Sequence, residues 1–258
     1  MKSINCWRWL VSLGLTVTLV LGGCGSSGSN LATDQTPGAD PQVDAAAAPS
    51  QVVSNQNEFM NNLPTLNGKA TVVMQVNGAP ITIEVNGTSA PVTAGNFVDL
   101  VNRGVYDGLV FHRVIREPEP FVVQGGDPQG KDPNFPVARL GTGGFTDPKT
   151  NQERYIPLEI KPEQANAPVY SSTLDQAGVK QKPELKHTRG AIAMARSQMP
   201  DSGSAQFYFT LADQPFLDGD YAVFGYVTDG MAVVDKIQQG DRIESAKVTA
   251  GLENLKTP

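Results

Sequence analysis

Cysteine is nearly absent from this chain, with only Cys6 and Cys24 among 258 residues, and histidine is as scarce, at His112 and His187. Four such residues at wide spacing form no ligand set for a metal, and no cofactor motif accompanies them. No Gly-X-Ser-X-Gly occurs, so a serine hydrolase of the strand–turn–helix type is excluded. Gly141-Thr142-Gly143-Gly144 lacks the following Lys and helix that a phosphate-binding loop needs. Runs of Lys or Arg are missing too; 20 basic residues stand against 26 acidic ones, which argues against nucleic acid as a partner.

Long apolar runs are equally rare. The first one, Trp9 to Leu21, follows the positive Lys2 and Arg8 and is too short for a comfortable membrane span. Residues 1–23 therefore read as an export signal, and Leu21-Gly22-Gly23-Cys24 resembles a bacterial lipobox. Cys24 is then the expected site of lipid attachment, the alternative being an ordinary signal peptide with a coincidental cysteine. Loss of the signal would leave a mature chain with no free thiol and no disulfide, so its stability must come from its core. Residues 24–57 are rich in Gly, Ser, Ala and Pro without periodicity and read as a flexible tether, spanning on the order of 30 Å. The expectation is an exported, membrane-anchored monomer facing the periplasm or the thylakoid lumen.

Patterned sequence begins near Leu66, and residues 66–258 suffice for a single core. Ala70–Val76 and Ile81–Val85 alternate apolar and polar residues around Asn77-Gly78, a hairpin signal. A helix is predicted from Pro91, with Phe97, Leu100 and Val101 on one face and Gly104 as a stop. Strand-like runs recur at Leu109–Ile115, Phe121–Gln124, Gly190–Ala195, Gln206–Leu211, Ala222–Val227 and Ile243–Thr249, with a short helix near Met231–Ile237. Glu58–Leu66 is ambiguous, a short lead-in helix being one reading. Short strands without regular strand–helix alternation imply a mostly β, antiparallel barrel with two helices.

Four islands carry more than pattern. They are Phe111-His112-Arg113-Val114-Ile115; Phe121-Val122-Val123-Gln124-Gly125-Gly126-Asp127; His187-Thr188 with Gly190–Ala195 and Gly203–Tyr208; and Phe216-Leu217-Asp218-Gly219 followed by Val223-Phe224-Gly225. In this order they resemble the cyclophilin family of peptidyl-prolyl cis-trans isomerases, with Asn96-Phe97 and Gly141–Gly144 in support. The resemblance implies a closed, eight-stranded antiparallel barrel capped by two helices, acting on proline-containing polypeptides. It makes Arg113 the catalytic residue. Phe121, Val122, Tyr208, Phe216 and Leu217 would wall the proline pocket, while Gln124 would hold the arginine and contact substrate. Ala195, Arg196 and Gln206 would line the groove for the preceding residues, and Tyr221, a further substrate-binding candidate, falls where many relatives have histidine.

Each residue also has an ordinary reading. Arg113 alone is a surface arginine at a strand edge, and the aromatics alone are core. His112 and His187 read as structural, since rotation about an X-Pro bond needs no base. Several positions depart from the family pattern. Arg116–Pro120 lengthens the loop before Phe121, Phe216 lacks the indole N–H that many relatives carry, Tyr208 adds a hydroxyl to the pocket, and Arg196 adds a second cation. That cation implies a preference for acidic residues beside the proline. Residues 128–186 form a long insertion, and the chain looks most like the cyanobacterial and thylakoid-lumen subgroup. The leading expectation is an isomerase for exported or membrane-proximal proteins. The alternative is a non-catalytic binding module or assembly factor that uses the groove or the insertion.

Overall fold

A computed structural model describes residues 60–258. The expected signal peptide, Cys24 and the expected tether lie outside the described residues. Eight strands make the main sheet: β1 Lys69–Val76, β2 Ala79–Asn86, β3 Phe111–Val114, β4 Val122–Gly125, β5 Ala191–Met194, β6 Phe207–Thr210, β7 Val223–Asp229 and β8 Ile243–Ala250. Helix α1 is Pro91–Asn102 and the one-turn α2 is Met231–Val234. The strand order is β8-β1-β2-β7-β5-β6-β4-β3, with every pair antiparallel.

The hairpin β1–β2 turns at Asn77 and Gly78, both at positive φ, as a two-residue hairpin loop with right-handed flanking strands requires. Alternation then decides what each strand buries. Val72, Met74 and Val76 of β1 face the interior with Ile81, Ile83 and Val85 of β2. Phe97 from α1 enters that interior and meets Phe207 edge-on at 5.5 Å and Phe224 at 5.1 Å.

The barrel closes less fully than expected. β3 and β8, at the two ends of the strand order, share no ladder; they meet at one bridge, Val110 with Arg242, and through backbone bonds such as Phe111 N–H to Asp241 O at 2.8 Å. β3 has only four residues, too short to run along β8, so the structure is a strongly curled sheet pinned at its seam. In the described part of Glu58–Leu66, Met60 and Asn61 are helical, in keeping with a lead-in helix, and Thr65–Leu66 form a two-residue strand paired with Leu255–Lys256.

Helix α1 departs from the one-faced pattern read in the sequence, because residues from Val92 to Val101 are all buried. Two segments cover it: Pro64 and Thr65 lie against Gly95, and the insertion closes over the helix start. Glu159 of the insertion is buried and accepts hydrogen bonds from the backbone N–H of Val92 at 3.1 Å and Thr93 at 2.8 Å. Ala90, at the cap position, has no side chain able to do this, so the insertion supplies the missing N-cap and a negative charge at the positive helix end. Arg154, also from the insertion, reaches Asp99 in the middle of α1 at 2.6 Å. Burial pushes the Glu159 carboxyl up, against the pull of the Thr93 and Val92 amides. Glu159→Ala is expected to cost about 1–3 kcal/mol in urea unfolding by orphaning those amides, and Glu159→Gln less. Equal midpoints for wild type and Glu159→Ala would contradict this account of the cap.

Candidate functional site

On β6, Phe207 and Phe209 point into the core, so Tyr208 must point out. Gln124 stands opposite Tyr208 in the register of β4 against β6 and shares its face. Arg113 reaches that face by a different route. Phe111 pairs with Gly125 and Arg113 with Gln124, so two steps along β3 match one along β4. This bulge reverses the alternation: Phe111 stays in the core while Arg113, two residues on, faces outward beside Gln124. His112, the extra residue, is buried, and neither ring nitrogen makes a hydrogen bond of ordinary geometry.

The guanidinium is held by a chain of amides. Arg113 Nη1 donates to Gln124 Oε1 at 3.3 Å, Gln124 Nε2 donates to Gln206 Oε1 at 3.1 Å, and Gln206 Nε2 donates to the Gly143 carbonyl at 2.8 Å. Gly143 is itself fixed. The buried carboxylate of Asp127 accepts from the N–H of Gly141 at 2.6 Å and of Gly143 at 3.0 Å. A Cβ at Gly143 would lie 2.2 Å from Asp127 Oδ1, so only glycine lets the loop close on that carboxylate. Arg113 also sits over the Phe121 ring, 5.6 Å from its centroid.

Nine of the eleven expected residues line one cavity of about 170 Å³: Arg113, Phe121, Val122, Gln124, Ala195, Arg196, Tyr208, Leu217 and Tyr221. Gln206 lies in the adjoining groove with Gly141–Gly144, Ser197 and Tyr155, which shares Gln124, Ala195 and Arg196 with the cavity. Phe216 lines neither. It is 66% exposed and stacks on Phe121 at 5.9 Å, forming an outer rim where a wall was expected.

The Tyr208 hydroxyl does not face the cavity as a free polar group. It lies 3.0 Å from His187 Nε2, and His187 Nδ1 lies 2.8 Å from Asp218. A proton on Nδ1, donated to the carboxylate, leaves Nε2 to accept from the phenol. The pocket's tyrosine is thus anchored from behind by a histidine that the sequence marked only as structural. Nothing in the residue string signals this relay, because its members lie on three separate elements.

Arg196 is spent on backbone. Its four hydrogen bonds go to the carbonyls of Asp220, Ser197 and Gln198, and its guanidinium stacks over Tyr221 at 4.6 Å. Neither Arg196 nor Arg113 pairs with a carboxylate among the described residues, so the cavity mouth carries two uncompensated positive charges.

An outward guanidinium beside a cavity walled by Phe121, Val122, Tyr208 and Leu217, on a curled eight-stranded sheet, defines a class of protein. The family model for cyclophilin type peptidyl-prolyl cis-trans isomerases matches residues 71–254, and the chain belongs to that family. It is 46% identical over 209 residues to a putative thylakoid lumen peptidyl-prolyl cis-trans isomerase of Synechocystis, covering 77% of this chain and 52% of that protein. It is 40% identical over 219 residues to a chloroplastic peptidyl-prolyl cis-trans isomerase of Arabidopsis thaliana, covering 78% of this chain and 47% of the relative. The chain thus spans about half the length of these two relatives. A Helicobacter pylori peptidyl-prolyl cis-trans isomerase, 36% identical, is covered over 89% of its length and matches 71% of this chain. Among solved structures, a Cryptosporidium parvum cyclophilin type isomerase crystallised in the presence of the dipeptide Ala-Pro matches with a TM-score of 0.52 and 25% identity, over 70% of this chain and 99% of that one.

Burial lowers the proton affinity of both histidines, in His187 against the pull of Asp218 and in His112 against that of Asp127. The native state therefore favours neutral rings, while the unfolded chain protonates them near pH 6.5. Their contribution to stability is full above that pH and is lost as pH falls below it. His187→Gln keeps a donor and an acceptor but cannot titrate. Between pH 7.5 and 5.5 the urea midpoint of the wild type is expected to drop more than that of the variant; equal drops would refute the assignment.

Proposed function

We propose that this chain is a peptidyl-prolyl cis-trans isomerase that accelerates X-Pro rotation in exported or membrane-proximal polypeptides, with Arg113 as its catalytic residue. Amide resonance sets a barrier of roughly 18–20 kcal/mol for the rotation. Midway through it the prolyl nitrogen becomes pyramidal and gains a lone pair. A fixed donor aimed at that nitrogen binds the twisted state better than the planar one, which is what lowers the barrier. No proton transfer, metal or nucleophile enters.

The observation that carries this reading is the amide chain behind Arg113. An arginine left free on a surface would lose much of its effect to reorganisation. Arg113 is itself exposed, so the contribution of about 3–4 kcal/mol from a preorganised, sheltered donor requires the bound polypeptide to cover it. A rate gain of about 10⁴ needs about 5.5 kcal/mol. The remainder falls to Phe121, Val122, Tyr208 and Leu217, which would seat the proline ring and exclude water, with Phe216 shielding from the rim. Ala195, Arg196, Gln206 and Tyr221 would receive the residues before the proline. The relatives' descriptions support the same activity, and the lumenal one supports a site of action outside the cytoplasm.

A protease-coupled assay on a proline tetrapeptide tests the reading. Arg113→Ala is expected to lose about 10²- to 10³-fold in kcat/KM; rates equal to wild type would leave a binding module in place of an enzyme. In the same assay, Glu before the proline is expected to be favoured over Lys by about two- to fivefold, a bias that Arg196→Asn reduces. A flat profile across charged peptides would rule that out. Membrane attachment through Cys24 rests on the lipobox alone. Its test is mass spectrometry of the membrane-extracted protein, where a Cys24 peptide without added lipid mass would dismiss the anchor.

A further inference from the structure

A third cavity, of about 370 Å³, opens on the other side of the Arg113–Gln124 pair. It shares those two residues with the proline-sized cavity. Its remaining walls mix aliphatic side chains, Val114 and Ile115 at the end of β3 and Val137, Ala138 and Leu140 from the insertion, with the His112 ring and Gly141. The Val137–Arg139 turn is held in place by the bond from Leu140 N–H to Val137 O at 3.1 Å. Gln239 adds an amide from the turn before β8, and Arg113 is the one charged residue in the lining.

From this geometry we infer that the cavity seats an aliphatic side chain of the bound polypeptide, one or two residues after the proline. The inference rests on the isomerase reading for its polypeptide. Two other cavities adjoin the 170 Å³ one, and Gln124 borders all three. The groove with Ala195, Arg196 and Gln206 takes the preceding residues, so the following ones leave past Arg113. There they meet Val114, Ile115, Val137, Ala138 and Leu140, which offer a leucine or isoleucine an apolar burial that a serine does not gain, beside the polar Arg113, His112 and Gln239. The outer wall comes from the insertion, so this part of the specificity belongs to a segment that carries none of the proline-pocket residues.

Fluorescence anisotropy on labelled peptides tests the inference whether or not the protein catalyses. One peptide ends at the prolyl amide; two others extend it by Leu-Leu or Ser-Ser. The wild type is expected to bind the Leu extension about five- to tenfold more tightly than the Ser extension. Ala138→Glu, which places a charge on an exposed part of the wall, is expected to remove most of that difference. Val137→Ser, a smaller change, is expected to reduce it. Each affinity is scored against the same protein's affinity for the short peptide. Binding of the short peptide with no Leu preference, or a preference untouched by Ala138→Glu, overturns the groove assignment alone. No binding of the short peptide by wild type overturns the proline-pocket reading and this inference with it.

Discussion

Everything proposed for this protein depends on one hydrogen-bonded chain: Arg113 to Gln124, Gln124 to Gln206, and Gln206 to the carbonyl of Gly143. An amide side chain can donate and accept at once, so two glutamines in series carry orientation from a backbone anchor to a guanidinium without adding charge. Each link has its own cause. The β3 bulge turns Arg113 outward, strand register sets Gln124 opposite Tyr208, and the Asp127 carboxylate fixes the loop that holds Gly143. Among the described residues no carboxylate pairs with this arginine. A cation positioned by neutral groups can answer a lone pair that appears only midway through rotation.

The insertion plays a structural part in the same design. Glu159 caps helix α1 and Arg154 grips it at Asp99, so a segment that looks like a decoration covers part of the helix whose Phe97 fills the barrel, with Pro64 and Thr65 against Gly95. Removing one end of such a buried charge arrangement exposes the other to an uncompensated environment, which is costly. The insertion's first part meanwhile borders the site through Val137, Ala138 and Leu140. One loop thus braces the fold and faces the substrate groove.

Much of the fold was legible in sequence because it rests on local signals. Asn77-Gly78 marks the first hairpin, Pro91 opens the helix, and alternation places the eight strands to within a few residues. The cavity residues were legible through the resemblance, whose islands fall on β3, β4, β5, β6 and the turn at Pro215–Leu217. What stayed hidden is non-local. A bulge adds no distinctive residue, so Phe111-His112-Arg113 reads like any alternating strand. Glu159 carries no local signal of its capping role, because Val92 and Thr93 lie 67 and 66 residues earlier in the chain. The exposed Phe216 and the anchored Tyr208 depend on how separate loops meet, as does the incomplete closure between β3 and β8. Composition and spacing do not encode these meetings.

The central claim is that Gln124 acts through Arg113, and a double-mutant cycle in kcat/KM measures this most directly. The variants are Gln124→Met, Arg113→Ala and their combination, each checked for an unchanged unfolding midpoint. If Gln124 aims the arginine, Gln124→Met alone lowers kcat, while the double variant is no slower than Arg113→Ala. Losses that simply add would mean that the two residues act separately, and the hydrogen-bonded chain would then have no role in catalysis.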